Sequence, residues 1–250
     1  MGLLDNKTAI VTGSSRGIGA EVAKFLAAEG AAVVVNYRQK APRANKVVAE
    51  IEAGGGRAVA VGADLTTQEG VQALASAAME NFGSLDLLVL NASGGMESGV
   101  EPDYALKLNR DAQVNMLNAA VPLMPEGSRV VFVTSHQAHF INTVPTMENY
   151  EPVARSKRAG EDALRELIPN LAEKSISLVV VSGDMIEGTV TATLLDRSNP
   201  GAIEARRAEA GRLYSVKEFG AEVAKMVAAD VESGHTEYVG GADYFDKSSS

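Results

Sequence analysis

The chain has 250 residues, of which 46% are hydrophobic, and it carries a formal net charge of −9. A chain of this length can bury one sizeable core, so we expect a single domain over residues 1–250. The negative charge repels nucleic acid and anionic lipid, which favours a small-molecule partner. No cysteine is present, which excludes a disulfide framework and thiolate chemistry.

The three histidines offer little material for a metal site, and no metal is expected. His136 and His139 are the pair that could face one ligand together. The N-terminus lacks a basic segment followed by an apolar one, and no apolar run approaches the ~20 residues of a membrane span. We therefore expect a cytoplasmic protein without membrane contact.

Short β-branched runs alternate with longer stretches of helical period along the chain. The predicted strands, buried on both faces, are Thr8–Thr12, Ala32–Asn36, Arg57–Gly62, Leu85–Asn91, Arg129–Ser135 and Ser177–Ser182. The predicted crossover helices are Gly17–Glu29, Pro42–Ala53, Thr67–Asn81, Tyr104–Met124 and Val153–Lys174. This repeated βαβ pattern predicts an α/β Rossmann fold, a doubly wound parallel sheet with helices on both faces.

Local signals mark several boundaries. Thr66 with Glu69 and Ser215 with Glu218 each match a capping box, and Gly30 and Gly83 lie where helices should end. The irregular stretch 184–211 is predicted to be a mobile flap with a short helix, able to close over a substrate. Residues 246–250 are expected to form a frayed tail.

A glycine-rich turn follows the first strand and opens directly into the first helix. It comprises Thr12, Gly13, Ser14, Ser15, Arg16, Gly17, Ile18 and Gly19. Glycines at this point let the backbone approach a pyrophosphate, whose charge then lies on unpaired amides at the positive end of the helix. The turn therefore predicts a dinucleotide site; an ordinary strand-to-helix turn is the alternative.

The end of the second strand is where such a site selects its cofactor. An acidic residue there would bind the ribose hydroxyl of NAD and repel the extra phosphate of NADP. This chain has Asn36, Tyr37 and Arg38, and both Arg16 and Arg38 could reach a phosphate with a fork-shaped guanidinium. NADP(H) is the predicted cofactor, unless Arg38 is simply a solvated loop charge.

The spacing Gly-x-x-x-Gly-x-Gly resembles the fingerprint of the short-chain dehydrogenase/reductase family. Other landmarks of that family follow in order over residues 5–245. Asp64 and Leu65 resemble its adenine-contacting segment, although Asp64 could equally be a turn residue. Asn91 and Ala92 match two residues of its turn after the fourth strand, where Ser93 replaces a glycine.

The resemblance also implies a catalytic set: a Tyr that donates the proton, a Ser that polarises the carbonyl, a Lys four residues after the Tyr, and a helix Asn. Ser135 ends the fifth strand, where the family has its Ser. Lys157 resembles the Lys that holds the nicotinamide ribose. Asn115 is the expected Asn, with Asn109 and Asn118 as competitors.

The position of the Tyr is the main departure, because Val153 lies four residues before Lys157 and cannot exchange a proton. Tyr150 is the expected substitute. Pro152 suits a first helical turn, so Tyr150 should precede the helix and could fold back towards Ser135. His136 or His139 is the alternative acid. Otherwise the site is catalytically poor.

A second departure follows the sixth strand. Gly183 still allows close approach to the nicotinamide, and Thr189 resembles the family Thr that contacts the carboxamide. The predicted function is NADP(H)-dependent interconversion of a carbonyl and an alcohol. The alternative is an NADP(H)-binding regulator or scaffold without turnover. By resemblance, a homotetramer or dimer built on the helices Tyr104–Met124 and Val153–Lys174 is expected.

Overall fold

The computed structural model describes residues 2–97 and 99–248, and its centre is one parallel seven-stranded sheet. The strands are β1 Thr8–Val11, β2 Ala32–Tyr37, β3 Arg57–Gly62, β4 Leu87–Leu90, β5 Arg129–Ser135, β6 Ser177–Gly183 and β9 Thr236–Val239. Their order across the sheet is β3-β2-β1-β4-β5-β6-β9. The chain adds strands on one side of β1 up to β3, and on its other side from β4 onward, so the switch point lies between β1 and β4. Ligands bind at the carboxyl end of such a switch point.

The predicted doubly wound α/β fold is confirmed, and the six predicted strands agree with β1 to β6 to within two residues at each end. The strand β9 was not predicted. It contains Thr236 and Glu237 and is only half-buried at the edge of the sheet, so it lacks the apolar run of the central strands. Two short strands, β7 Ile186–Glu187 and β8 Tyr214–Ser215, pair separately.

Helices cover both faces of the sheet. They are α1 Gly17–Ala28, α2 Ala41–Ala53, α3 Gln68–Phe82, α4 Tyr104–Leu106, α5 Ala112–Ala120, α6 His136–His139, α7 Glu151–Glu166, α8 Ile168–Ala172, α9 Val190–Ser198, α10 Ala202–Ala210, α11 Val216–Lys225 and α12 Asp243–Ser248. One apolar core joins α1, α2 and α11 to the sheet, and a second joins α3, α5 and α7 to the other face. The chain is thus a three-layer sandwich.

Two of the long predicted helices are interrupted. A π-helical segment, Lys107–Asp111, separates α4 from α5, and a short 3₁₀ turn, Val121–Leu123, follows α5. A π-bulge of this kind often marks a functional site. The helix predicted over Val153–Lys174 is divided between α7 and α8, with a proline in the first turn of α8.

The predicted helix ends are only partly correct. The capping box of Ser215 and Glu218 is confirmed at the start of α11. The box predicted at Thr66 is wrong, because Thr67 caps α3 by accepting from Gly70 N, while the Thr66 hydroxyl donates to Asp64. Gly83 ends α3 in the left-handed conformation, as predicted.

The C-terminal expectation needs correction. Residues 246–248 continue α12 and are not a frayed tail, because Lys247 pairs with Asp243 on α12 and with Glu209 on α10. Ser249 and Ser250 lie outside the described residues. The predicted flap 184–211 contains β7, α9 and α10. No helix among residues 2–97 and 99–248 combines the length and apolarity needed to cross a bilayer.

Candidate active site

The phosphate cradle, residues 12–19, connects β1 to α1. Gly13 and Gly17 have φ angles of 61° and 59°, in the left-handed region where a side chain would be strained. Arg16 is the N-cap of α1 and makes no side-chain capping bond. The first-turn amides of α1 are thus left for an anion, as expected for a pyrophosphate.

Close packing holds the cradle against the loop that follows β4. A Cβ on Gly19 would lie 2.5 Å from Asn91 Nδ2 and 2.8 Å from Gly13 O, so only glycine fits there. By contrast, a Cβ on Gly17 would meet no atom within 4 Å, which leaves open space in front of the cradle. The residues present therefore fit the diphosphate of a dinucleotide.

Thr12 joins the two sides of this arrangement, a role the sequence did not reveal. Its hydroxyl accepts from the backbone N–H of Asn91 and of Ala92, both at 2.9 Å, and donates to Val89 O at 3.3 Å. The Asn91 side-chain amide in turn donates to Thr12 O at 3.0 Å. Asn91 and Ala92 thus stabilise the cradle from the neighbouring strand.

Asn36 supports the cradle, a role that the sequence did not reveal. Its side chain is buried; Oδ1 accepts from Gly13 N at 3.0 Å, and Nδ2 donates to Ala63 O at 3.2 Å. These bonds engage both ends of the Asn36 carboxamide. Tyr37 ends β2, and Arg38 follows it.

Arg38 is exposed and lies against Tyr104, the first residue of α4. Its Nη1 donates to the Tyr104 hydroxyl, and its guanidinium carbon is 5.4 Å from the ring centroid. Burial raises the pKa of the Tyr104 phenol, and the Arg38 charge opposes that increase. Arg16 is also exposed. Two exposed arginines thus lie near the cradle in the sequence, Arg16 at the start of α1 and Arg38 after β2.

The adenine-contacting residues expected from the resemblance also have structural partners. Asp64 Oδ1 accepts from Thr66 N at 3.0 Å and from the Thr66 hydroxyl at 2.7 Å, which is the turn role that was the alternative. The Leu65 side chain is buried in the core. Only its backbone could meet a nucleotide.

At the other end of the site, one cavity brings together most of the predicted catalytic residues. It is lined by Ile18, Asn91, Ser93, Ser135, Tyr150, Lys157 and Thr189, among others. The Ser135 Oγ and Tyr150 Oη atoms are 3.3 Å apart, so both hydroxyls can approach one substrate oxygen. Ser135 is presented by the carboxyl end of β5.

Tyr150 reaches the cavity because α7 begins immediately after it. It is the N-cap of that helix, with Pro152 in the first turn, as the sequence predicted. Its side chain is buried, next to Val153 and the flap residues Met185 and Leu195. Val153, one turn before Lys157, faces this apolar cluster and approaches Gly95. The aromatic hydroxyl thus enters from the helix N-terminus.

The structure does not bring Asn115 to the site. Its side chain is exposed on α5, because the π segment sets the register of the helix so that Asn109 faces inward. Asn109 is buried; its Nδ2 donates to Gly94 O and to Ser156 Oγ, both at 2.9 Å, and its Oδ1 accepts from Gly94 N. Asn109 therefore connects the loop after β4 to the residue beside Lys157.

Gly183 has a packing role that the sequence did not reveal. A Cβ there would lie 2.5 Å from the Phe219 ring, so the glycine makes room for the packing of α11. Thr189 lines the cavity and also caps α9, donating to Ile186 O at 2.8 Å and accepting from Ala192 N at 3.1 Å. Thr189 thus fixes the start of the flap helix.

Neither histidine after Ser135 enters the cavity. His136 is fully buried between Ser182 Oγ at 2.7 Å and Gly240 O at 2.9 Å. His139 contacts Glu161 and the Tyr238 hydroxyl. Burial alone would raise the pKa of Glu161, but His139 and Arg165 outweigh it and leave that pKa lowered.

These contacts do not place either imidazole as the acid. No group of three His, Cys, Asp or Glu side chains within residues 2–97 and 99–248 is arranged to hold a metal ion.

Comparison with known proteins identifies the family. The family model described as short chain dehydrogenase matches residues 7–199. This chain is a member of the short-chain dehydrogenase/reductase family. An uncharacterised oxidoreductase of Methylorubrum extorquens is 36% identical over 201 residues, which cover 77% of this chain and 79% of that protein.

The names of similar proteins indicate that the chain is an oxidoreductase. Versicolorin reductase 1 of Dothistroma septosporum is 34% identical over 204 residues, covering 79% of this chain and 76% of that protein. The crystal structure of a short chain dehydrogenase from Burkholderia cenocepacia in complex with NADP has a TM-score of 0.80 and 30% identity. The match covers 94% of this chain and 97% of that one. This short-chain dehydrogenase is therefore an oxidoreductase with a nicotinamide dinucleotide site.

Proposed function

We propose that this oxidoreductase interconverts a carbonyl and an alcohol with NADP(H) and that Tyr150 is its acid. The observation that carries the proposal is the pair of Ser135 and Tyr150 hydroxyls, 3.3 Å apart in the cavity that Lys157 also lines. When bound, the nicotinamide supplies hydride to the carbonyl carbon or accepts it from the alcohol.

In the direction of reduction, the protein supplies the proton. The Ser135 hydroxyl donates a hydrogen bond to the carbonyl oxygen and polarises it, and the Tyr150 hydroxyl transfers its proton to that oxygen. The Lys157 ammonium stabilises the negative charge left on Tyr150 and binds the nicotinamide ribose. Asn109 positions this end of α7 through Ser156. The reverse steps oxidise the alcohol.

The guanidinium groups support NADP(H) over NAD(H). Asn36 carries no charge that would repel a phosphate, and Arg38 offers its remaining N–H groups at the carboxyl end of β2. Arg16 lies exposed at the N-terminus of α1. The Burkholderia cenocepacia structure with NADP is a further support, since its fold matches over nearly the whole chain.

The test is Tyr150→Phe, which removes one hydroxyl and keeps the ring. We expect the turnover number to fall about 10²–10⁴-fold, the usual contribution of a positioned acid, while NADPH binding is unchanged. Turnover is followed by the loss of NADPH absorbance with a panel of aldehydes and ketones. Tyr214→Phe is the matched control, since Tyr214 lies under Arg212 and does not line the cavity.

The alternative of a binding protein without turnover gives a distinct result. Tight NADPH binding by the wild-type protein, with no oxidation across the whole panel, would favour it. Unchanged turnover in Tyr150→Phe would remove Tyr150 from the mechanism and leave the cofactor site intact. Association of copies through α5 and α7, and a cytoplasmic location, stay predictions from the resemblance and the composition.

A further inference from the structure

One polar side chain in the cavity has no part in the proton transfer. Gln137 lies in the first turn of α6, two residues after Ser135, and lines the same cavity as Ser135 and Tyr150. Its Oε1 accepts a hydrogen bond of 2.5 Å from the Thr146 hydroxyl. This bond directs the carboxamide oxygen towards the loop that carries Thr146 and leaves the amide nitrogen without a partner on that side.

The amide nitrogen of Gln137 is a hydrogen-bond donor. Within residues 2–97 and 99–248 the Gln137 amide nitrogen has no acceptor in the protein, and it is not among the buried atoms that lack a partner. The amide group is therefore open to the cavity. A carboxamide with its oxygen bound to the protein presents two N–H donors to whatever fills the space beside Ser135.

The charges around the cavity limit what those donors can meet. Asp184 lines the cavity, but its carboxylate is bound by Arg206 Nε at 2.8 and 3.0 Å. Arg206 is buried and also donates to Asp243 through both Nη atoms, so its guanidinium group is not available to bind an anionic substrate. Lys157 is engaged in the proposed mechanism.

The other walls combine apolar side chains, including Met185, Ile186 and Leu195, with uncharged polar ones such as Asn91, Ser93 and Thr191. The cavity therefore favours a neutral substrate with a polar group near Gln137.

We propose that Gln137 recognises a second oxygen of the substrate, so that the substrate class is a neutral ketone with a keto or hydroxyl oxygen next to the reacting carbonyl. Ser135 and Gln137 line the same cavity, so a substrate whose carbonyl oxygen lies at Ser135 can present a second oxygen to Gln137. Thr146 orients the carboxamide. This inference rests on the proposed carbonyl reduction, since it assigns the substrate of the same site.

The experiment compares 2,3-pentanedione with 2-pentanone, which share chain length and differ by one oxygen. Gln137→Leu keeps the size and removes the donors. It should lower kcat/KM for the diketone about tenfold, the value of roughly one hydrogen bond, and leave 2-pentanone within about twofold. The higher reactivity of the diketone affects wild type and variant equally, so the ratio of the two losses isolates recognition.

Thr146→Val provides the matched second variant, because it releases the Gln137 oxygen without touching the donors. We expect a smaller loss, confined again to the diketone. Equal losses on both ketones in Gln137→Leu would overturn the inference and show that Gln137 only holds the loop that carries Tyr150.

An unchanged diketone rate in a Gln137→Leu protein that melts like the wild type would also overturn it. If the wild type binds NADPH but reduces neither ketone nor any aldehyde, the proposed function fails, which is a different result.

Discussion

The phosphate cradle and the catalytic end of the cavity are held together in different ways. The cradle is fixed by hydrogen bonds between backbone groups and the side chains of Thr12 and Asn36, and by glycines with positive φ angles. The catalytic end depends on side chains from β5, the π segment, α6 and α7. A short motif can therefore specify the cradle, whereas the catalytic end can be rearranged without loss of the fold.

The position of the phenol illustrates that freedom. Val153 lies where the family has its Tyr, one turn before Lys157, and packs with flap residues. Tyr150 brings a hydroxyl to Ser135 from the N-cap of the same helix. The cradle has no similar latitude, because a Cβ on Gly19 would meet both Asn91 and Gly13. Conformational restriction is thus concentrated where the nucleotide binds.

Among substitutions that separate the catalytic end from the cradle, Asn109→Ala is expected to have the largest effect on stability. The substitution removes three hydrogen bonds, two with the half-buried backbone of Gly94 and one with the buried Ser156 hydroxyl. The free energy of unfolding should fall by about 3 kcal/mol, since each hydrogen bond contributes about 1 kcal/mol. Urea denaturation measures it, and turnover should fall while NADPH binding is kept.

Asn115→Ala is the matched control, since Asn115 is exposed on the adjacent helix. Its unfolding free energy should stay within about 0.5 kcal/mol of the wild type, as for other surface substitutions. Equal effects of the two alanines would contradict the assignment of Asn109 as the residue that connects the loop after β4 to α7.

The sequence predicts the cradle better than it predicts the catalytic end. The buried strands and the glycine turn were predictable, because periodicity and local backbone geometry determine them. The start of α7 was predictable from Pro152 alone. Asn109 was named only as a competitor of Asn115, because a π turn shifts the helical register and spacing along an ordinary helix does not anticipate that shift.

Other residues depend on partners far along the chain. Asn36 bonds to Gly13, and Gln137 on α6 bonds to Thr146 in the loop before α7. The edge strand β9 has no apolar run to reveal it. Sequence patterns carry such information only where a local rule applies, so residues selected by tertiary contact need the structure.

The second prediction concerns the nucleotide end and is smaller. Arg38→Gln removes a charge from the edge beside β2, so NADPH affinity should fall about 10- to 100-fold, the value of a hydrogen bond to a charged group. NADH affinity should be unchanged, because NADH lacks the extra phosphate. Fluorescence titration with both nucleotides measures the two dissociation constants.

Arg57→Gln is the matched control for Arg38. Arg57 also lies over an aromatic ring, that of Phe82, but it begins β3, at the end of the sheet opposite to the cradle. It should leave both affinities as they are. An equal loss for NADPH and NADH in Arg38→Gln would mean that Arg38 does not read the phosphate, and the NADP preference would have to rest on Arg16.

The smallest effect concerns pH and the buried groups behind the catalytic end. Burial lowers the pKa of His136 from its ordinary value of 6.5, against the opposing influence of Gly240 and Asp184 and with the aid of His139 and Arg206. Because Gly240 O only accepts, Nε2 carries the proton and Nδ1 accepts from Ser182. His136 is therefore neutral in the folded protein.

A pKa that is lower in the folded state stabilises the protein above the unfolded value and loses that effect as the pH falls. Between pH 7.5 and 5.5 the free energy of unfolding should decline by up to about 1.4 kcal/mol per pH unit once the pH is below 6.5. Urea denaturation across this range measures the slope. His136→Gln should flatten it, whereas His235→Gln, at a side chain that is 35% exposed, should retain it. A wild-type slope preserved in His136→Gln would show that His136 is not the source of the pH dependence.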